Sequence, residues 1–393
     1  MTSSPLAVTS RLPQVGTTIF SVMSALAVQH KAINLGQGFP DFDCDPALVE
    51  TVHRAMRDGH NQYPPMPGAP VLLAEIATKI EALYGHRYDP TREITVTAGA
   101  TQAILTTLLA LVHPGDEVIV LEPCYDSYIP SITLAGGIAV RVPLTPGTFR
   151  PDFDRIRSAL SARTRAIIVN TPHNPSGTVW SAQDMDALAE LLRSSPAWVI
   201  SDEVYEHMVF DGKHHASVAR HPELAQRAVL ISSFGKTYHV TGWKVGYVAA
   251  PAALMAEFRK VHQFNVFTVN TPMQYGLAAY MAASDHHLQL PGFYQRKRDL
   301  FRQGLADTGM RLLPCEGTYF QCVDVSAVTQ LSEAAFCEWL VREVGVAAIP
   351  VSAFYGDGFD QKIVRFCFAK QDATLQAALA RLQNLPPAPL QGT

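Results

Sequence analysis

The sequence predicts an α/β protein: a large domain on a seven-stranded, mostly parallel sheet, followed by a smaller α+β domain. Three observations predict it. From about Glu93 to Pro251, short β-branched runs alternate with longer amphipathic stretches, the pattern of a parallel sheet covered by helices. The 393 residues, at about 150 per domain, hold two or three domains. After Arg311 the order changes to strand, helix, strand, strand, helix.

Taken in order, the stretch up to about Gln37 has no pairing partner of its own and is expected to pack against the second domain. We therefore divide the chain into an N-terminal arm with part of the small domain (1–45), a large domain (46–285) and a small C-terminal domain (286–393). Seven strands are expected at Ile94–Thr97, Glu117–Leu121, Ile138–Val142, Ala166–Asn170, Trp198–Ser201, Ala228–Ile231 and Val245–Ala249. Between the first two, Thr101–Val112 sets Ile104, Leu105, Leu108 and Leu109 on one face at helical spacing. One long helix is predicted from the high 270s toward Arg302, and the ends, 1–10 and 386–393, read as disordered.

Composition narrows the ligands. Apolar residues make up 48% and charged residues only 17%, below the ~25% usual for globular domains, so a buried oligomer surface is consistent. The net charge of −4, with no run of either sign, argues against nucleic acid or anionic lipid and for small molecules. Met1–Pro5 lacks the features of a signal peptide, and no window approaches ~18 consecutive apolar residues. A cytoplasmic protein off the membrane is expected. The six cysteines form no CxxC pair and read as buried free thiols. No metal is predicted from the fourteen histidines, which contain no HExxH pair, and His214 and His215 are expected to be solvated.

In open α/β sheets, ligands bind beyond the carboxyl ends of the strands, where loops and helix N-termini converge. Five predicted strand ends carry chemistry there. Gly99-Ala100-Thr101 opens a helix as an anion cradle, Tyr125 offers a flat ring, Asn174 an amide, Asp202 and Tyr205 a carboxylate and a phenol, and Ser233 and Lys236 a hydroxyl and an amine. Pyridoxal phosphate needs this set: an amine for its aldehyde, a carboxylate for its ring nitrogen, donors for its phenolate oxygen, a stacking ring and a phosphate site. Lys236 is then the amine, Asp202 the carboxylate, Asn174 and Tyr205 the donors, and Tyr125 the ring. The Ala100 and Thr101 N–H groups, Ser233 and Lys244 take the phosphate.

Each residue also has a plainer reading. A lone lysine is usually a surface residue, an aspartate after a strand is often a helix cap, and Asn-Pro or Ser-Gly is turn punctuation. Joint placement at the crevice favours the site. Gly235-Lys236-Thr237 imitates the end of a P-loop, but the required earlier glycine is Leu230. Gly36-Gln37-Gly38 imitates a dinucleotide fingerprint, but its third glycine position is Asp41.

The run Ser232-Ser233-Phe234-Gly235-Lys236-Thr237-Tyr238-His239-Val240-Thr241-Gly242-Trp243-Lys244-Val245-Gly246-Tyr247 resembles the cofactor-lysine motif of class I/II aminotransferases, the fold-type I pyridoxal phosphate enzymes. Asn170–Gly177 and Ser201–Tyr205 match two further motifs in the expected order, and the resemblance covers nearly the whole chain. Asn34–Phe42 and Gly242-Trp243-Lys244 resemble the kynurenine/glutamine transaminase branch. Thr17–Phe20, Ser233–Tyr247 and Pro314–Phe320 resemble the bacterial aminotransferases that act on methionine. Many members carry Arg at the position of Lys244, whose ammonium holds phosphate less rigidly than a guanidinium.

The resemblance implies a homodimer with shared active sites, in which Tyr63 reaches the neighbour's phosphate and Phe267 borders its substrate pocket. Plain interface packing is the alternative for both. Arg365 lies in an apolar strand, where its guanidinium needs a partner. A structural Asp or Glu would serve, and the resemblance points instead to the substrate α-carboxylate, with help from Asn174 and the Gly38 backbone. The implied reaction is ping-pong transfer of an amino group to a 2-oxo acid. Residues Val261–Thr268 offer no second arginine for a distal carboxylate, and Phe20, Tyr63, Tyr125 and Phe267 suit apolar, sulfur-containing or aromatic side chains, methionine foremost. A C–S β-lyase on the same fold, or a regulatory binder without turnover, are the rival readings.

Overall fold

The computed structural model describes residues 8–388, so the expectations for 1–7 and 389–393 lie outside the described residues. A seven-stranded sheet forms from β1 (Ile94–Thr97), β2 (Glu117–Glu122), β3 (Ile138–Pro143), β4 (Thr164–Asn170), β5 (Trp198–Asp202), β6 (Ala228–Ser233) and β7 (Gly246–Ala249). Their order across the sheet is β1-β7-β6-β5-β4-β2-β3, and β7 alone runs against the rest. The mostly parallel large sheet is thus as expected, each strand within two residues of its predicted ends.

Every residue of β1, β2 and β7 is buried, as a strand with both faces covered requires. The reversal at β7 has a local cause. Only Phe234–Val245 connects β6 to β7, and the chain turns back at the carboxyl end of β6 instead of crossing over. That turn carries Lys236 in the four-residue helix Phe234–Thr237 and leaves it at the sheet's carboxyl edge.

The remainder packs as a second layer system. Strand Phe320–Asp324 pairs antiparallel with Ile363–Cys367 in a four-stranded sheet. Ile33–Asn34 pairs with Val346–Ala347, joining the N-terminal arm to this part of the chain. One expected helix is two. Thr271–Ala283 ends at Ser284, which takes an extended conformation, and His286–Leu305 begins anew. The Ser284 hydroxyl accepts from the His286 N–H at 3.1 Å, a local bond that competes with helix continuation. Gly276 of the first helix meets Val52 of helix Pro46–Arg57 so closely that a Cβ would lie 2.3 Å from a valine methyl.

Candidate active site

At the carboxyl edge of the large sheet lies a cavity of about 280 Å³, lined by Phe20, Gly38, Gly99, Ala100, Thr101, Tyr125, Asn174, Asp202, Tyr205, Ser233, Lys236, Lys244 and Arg365, among others. The structure therefore brings together every predicted site residue except Tyr63 and Phe267. Those two sit outside, Tyr63 81% exposed and Phe267 edge-on to it at 5.3 Å. The loop before Pro65 is tied to their neighbourhood, since Thr271 Oγ1 donates to the Gln62 carbonyl at 2.7 Å.

Asp202, the last residue of β5, is 4% exposed. Its Oδ2 accepts from the Tyr128 hydroxyl at 2.7 Å and its Oδ1 from the Val204 N–H at 3.3 Å. Burial, offset only in part by those bonds, pushes the carboxyl up to about 6. Lys236 faces the same space. Its Nζ donates to the Tyr319 hydroxyl at 2.8 Å and the Gly38 carbonyl at 3.2 Å, and burial pulls its ammonium down to about 8. Tyr205 is buried, its ring 5.6 Å from Lys236 Nζ.

Arg365 is 1% exposed. Its Nη1 donates to Asn174 Oδ1 at 2.7 Å and its Nη2 to the Gly36 carbonyl at 2.9 Å. The charge stacks on Phe320 at 3.9 Å and lies 5.3 Å from Phe20. No carboxylate among the described residues pairs with it, and its Nε is buried without a partner. Among the described residues no acid forms an ion pair with this arginine, which was its plainer reading. A buried guanidinium with an open N–H in a cavity is built to receive an anion. Asn174, its oxygen taken by Arg365 and its N–H by Asn170 Oδ1, keeps its side-chain NH2 as a donor.

A second anion site stands across the cavity. Gly99 opens helix Gly99–Leu111 at φ +77°, and Ala98 gives no side-chain cap, so the first-turn N–H groups stay free. Lys244 closes over it in the left-handed region (φ +55°), its Nζ 3.4 Å from where a Gly99 Cβ would stand, with no acidic partner among the described residues. Two anion sites flanking an amine and a carboxylate fit pyridoxal phosphate with an amino acid beside it.

Sequence reasoning did not single out Tyr128 or Tyr319 as site residues, although Tyr319 stood in a quoted motif. Nor did it find what holds the strand ends from behind. Glu206, fully buried, accepts from Lys79 at 2.7 Å and Ser232 at 2.5 Å, and also from Tyr84. Burial works to raise this carboxyl, but Lys79 and His207 outweigh it and hold it low. His215, expected in solvent, is buried on Glu203 at 2.7 Å, because Glu203 follows β5 into the interior. The six cysteines are free and five are buried. No helix of the described residues is long and apolar enough to cross a membrane.

Comparison with known proteins agrees with this geometry. The family model for class I and II aminotransferases matches residues 30–382. Methionine aminotransferase of Escherichia coli is 54% identical over 98% of this chain and all of its own. The crystal structure of an E. coli protein with that function superposes with a TM-score of 0.95, covering 97% of this chain and all of that one. Human kynurenine–oxoglutarate transaminase 1 is 36% identical, covering 91% of this chain and 93% of its own.

Proposed function

The chain belongs to the pyridoxal-phosphate-dependent class I and II aminotransferases, and from that membership we propose that its amino donor is an apolar, sulfur-containing or aromatic L-amino acid, methionine foremost. The observation that carries the donor's placement is Arg365, a buried guanidinium with an open Nε and no acid of its own. It takes the α-carboxylate, which orients Cα toward Lys236.

Bound pyridoxal phosphate supplies an aldehyde that condenses with amines and a cationic ring that withdraws electrons from Cα. Lys236 would hold it covalently, and its Nζ, once free, would move the proton at the substrate Cα. Asp202 would keep the ring nitrogen protonated, and Tyr128 keeps Asp202 in place. Asn174 and Tyr205 would serve the phenolate oxygen as donors, and Tyr125 would offer its ring to the cofactor. The Gly99, Ala100 and Thr101 backbone, Ser233 and Lys244 would hold the phosphate.

Donor choice follows from what lines the cavity. Its cations are Lys236, Lys244 and Arg365, all with roles already, so a distal carboxylate finds no counter-charge. Phe20, Tyr125 and Phe320 give apolar and aromatic wall, which a thioether fills well. A second copy of the chain is proposed to complete the mouth with Tyr63 and Phe267. The free cysteines suit a reducing compartment, and we assign the enzyme to the cytoplasm.

The test is the absorbance of the reconstituted protein. A band above ~400 nm is expected, bleached fastest by methionine within a panel of L-amino acids. Preference for aspartate overturns the donor assignment. Pyruvate and ammonia released from cystathionine without any 2-oxo acid favour the β-lyase instead. Fastest bleaching by kynurenine or glutamine moves the enzyme to the human relative's side of the family.

A further inference from the structure

Resting on the cofactor reading above, we propose that Tyr319 is a positioning residue for Lys236: with the Gly38 carbonyl it engages two hydrogens of the free amine and turns the remaining valence of Nζ toward the cavity.

The hydrogen-bond chemistry fixes who donates. The Tyr319 hydroxyl lies 2.6 Å from the Gly38 carbonyl and 2.8 Å from Lys236 Nζ. A carbonyl only accepts, so the single phenol hydrogen goes to Gly38, and the phenol oxygen receives an N–H from the lysine. Nζ gives a second hydrogen to the same carbonyl at 3.2 Å. With Cε and two engaged hydrogens assigned, the fourth position of the nitrogen holds either a third proton or the lone pair. That is the position from which a proton is given or taken. Burial pulls the Lys236 ammonium down to about 8, so the lone pair is accessible near neutral pH. Burial pushes the Tyr319 phenol the other way, so it stays a neutral phenol and does not compete as a base.

The segment that presents Tyr319 is over-determined. Thr318, β-branched, sits in the left-handed region at φ +65°, a conformation such a residue adopts only under constraint. The constraints are visible. The Thr318 N–H donates to the Met208 carbonyl at 2.9 Å, and Glu316 and Gly317 donate to the Gly177 carbonyl at 2.8 and 2.9 Å. A Cβ on Gly317 would lie 2.6 Å from the Met208 carbonyl. The result is a fully buried ring set edge-on to Tyr205 at 5.2 Å with its hydroxyl on the amine. Tyr294, 5.7 Å from the Tyr319 ring, is also buried, but its hydroxyl has no partner. The two tyrosines differ in whether the phenol oxygen reaches Lys236.

Charged and titratable neighbours of the amine are Asp202 and Cys367, which favour its protonated form, and Arg365 and Lys244, which oppose it. Removing the Tyr319 oxygen leaves all four in place; it takes an acceptor from Lys236 Nζ, whose hydrogen bond is stronger from the ammonium than from the amine, and a donor from the Gly38 carbonyl. Apoprotein is therefore mixed with pyridoxal phosphate across a pH series, and uptake is followed by absorbance, for wild type, Y319F and Y294F. Uptake rises as the amine loses its proton. The midpoint in Y319F is expected to fall by about half a unit or more, and kcat to fall about tenfold with the amino-acid KM within about twofold. Y294F should match wild type in both. A wild-type midpoint and kcat in Y319F overturn the proposal. Failure of wild type to take up the cofactor overturns the parent reading instead. Should Y319F not fold, wild-type apoprotein carrying 3-fluorotyrosine decides by 19F NMR. One resonance titrating with Lys236 and silent in Lys236→Ala supports the contact, and its absence overturns it.

Discussion

Asp202 shows what the site demands of single residues. Its carboxyl is raised from 3.8 to about 6 in the fold, so the fold favours the protonated form. The stability this lends the apoprotein is fully present below pH 3.8 and is lost as pH rises through about 6. Near pH 7 the cofactor-free protein thus holds a buried carboxylate that destabilises it by about 3 kcal/mol. Asp202→Asn removes the titration while keeping the Tyr128 hydroxyl within reach. Thermal melts of apoprotein should show the variant gaining on wild type between pH 4 and 7, while its turnover falls by two or more orders of magnitude. Parallel melting curves across that range would show that the carboxylate is not buried as described. A charge kept at the expense of stability marks a residue selected for chemistry. The sequence exposes such a residue by its place after a strand. It does not expose Tyr128, whose hydroxyl comes from 74 positions away in the chain, because side-chain pairing across that distance leaves no periodic signal.

Elements set the next scale. Helix Gly99–Leu111 contributes free N–H groups and Lys244 contributes a charge from the turn that returns to β7. If the two act together on a phosphate, Lys244→Met should weaken uptake of pyridoxal phosphate about tenfold or more and leave uptake of unphosphorylated pyridoxal unchanged. Equal losses for both would place Lys244 outside the phosphate site. The strands bearing this machinery were legible because each is a short β-branched run, buried at all but at most one residue, with a polar cluster at its carboxyl end. The break at Ser284 was not, since helical periodicity runs on through a two-residue interruption. Nor was the pairing of Ile33–Asn34 with Val346–Ala347, where two residues carry no alternation to read.

At the scale of the whole molecule, two of the predicted site residues remain unused by the cavity of their own chain. Tyr63 and Phe267 pack on each other at the surface, and Phe264 nearby is 86% exposed. Large aromatic side chains grouped in water in this way are expected where another protein covers the surface. If that protein is a second copy, the twofold axis sends each Tyr63 to the other's site, and Lys236 and Tyr63 of one working site come from different chains. Lys236→Ala and Tyr63→Ala proteins, each inactive alone, then complement on mixing. A heterodimer of the two holds one site with both residues intact and one with neither. After random exchange of equal amounts, half the dimers are mixed and about a quarter of wild-type activity should return. Light scattering must show a dimer before and after mixing, and mass spectrometry must show that subunits have exchanged. Exchange without recovery would confine Tyr63 to its own chain, and full activity in Tyr63→Ala would remove it from the site altogether.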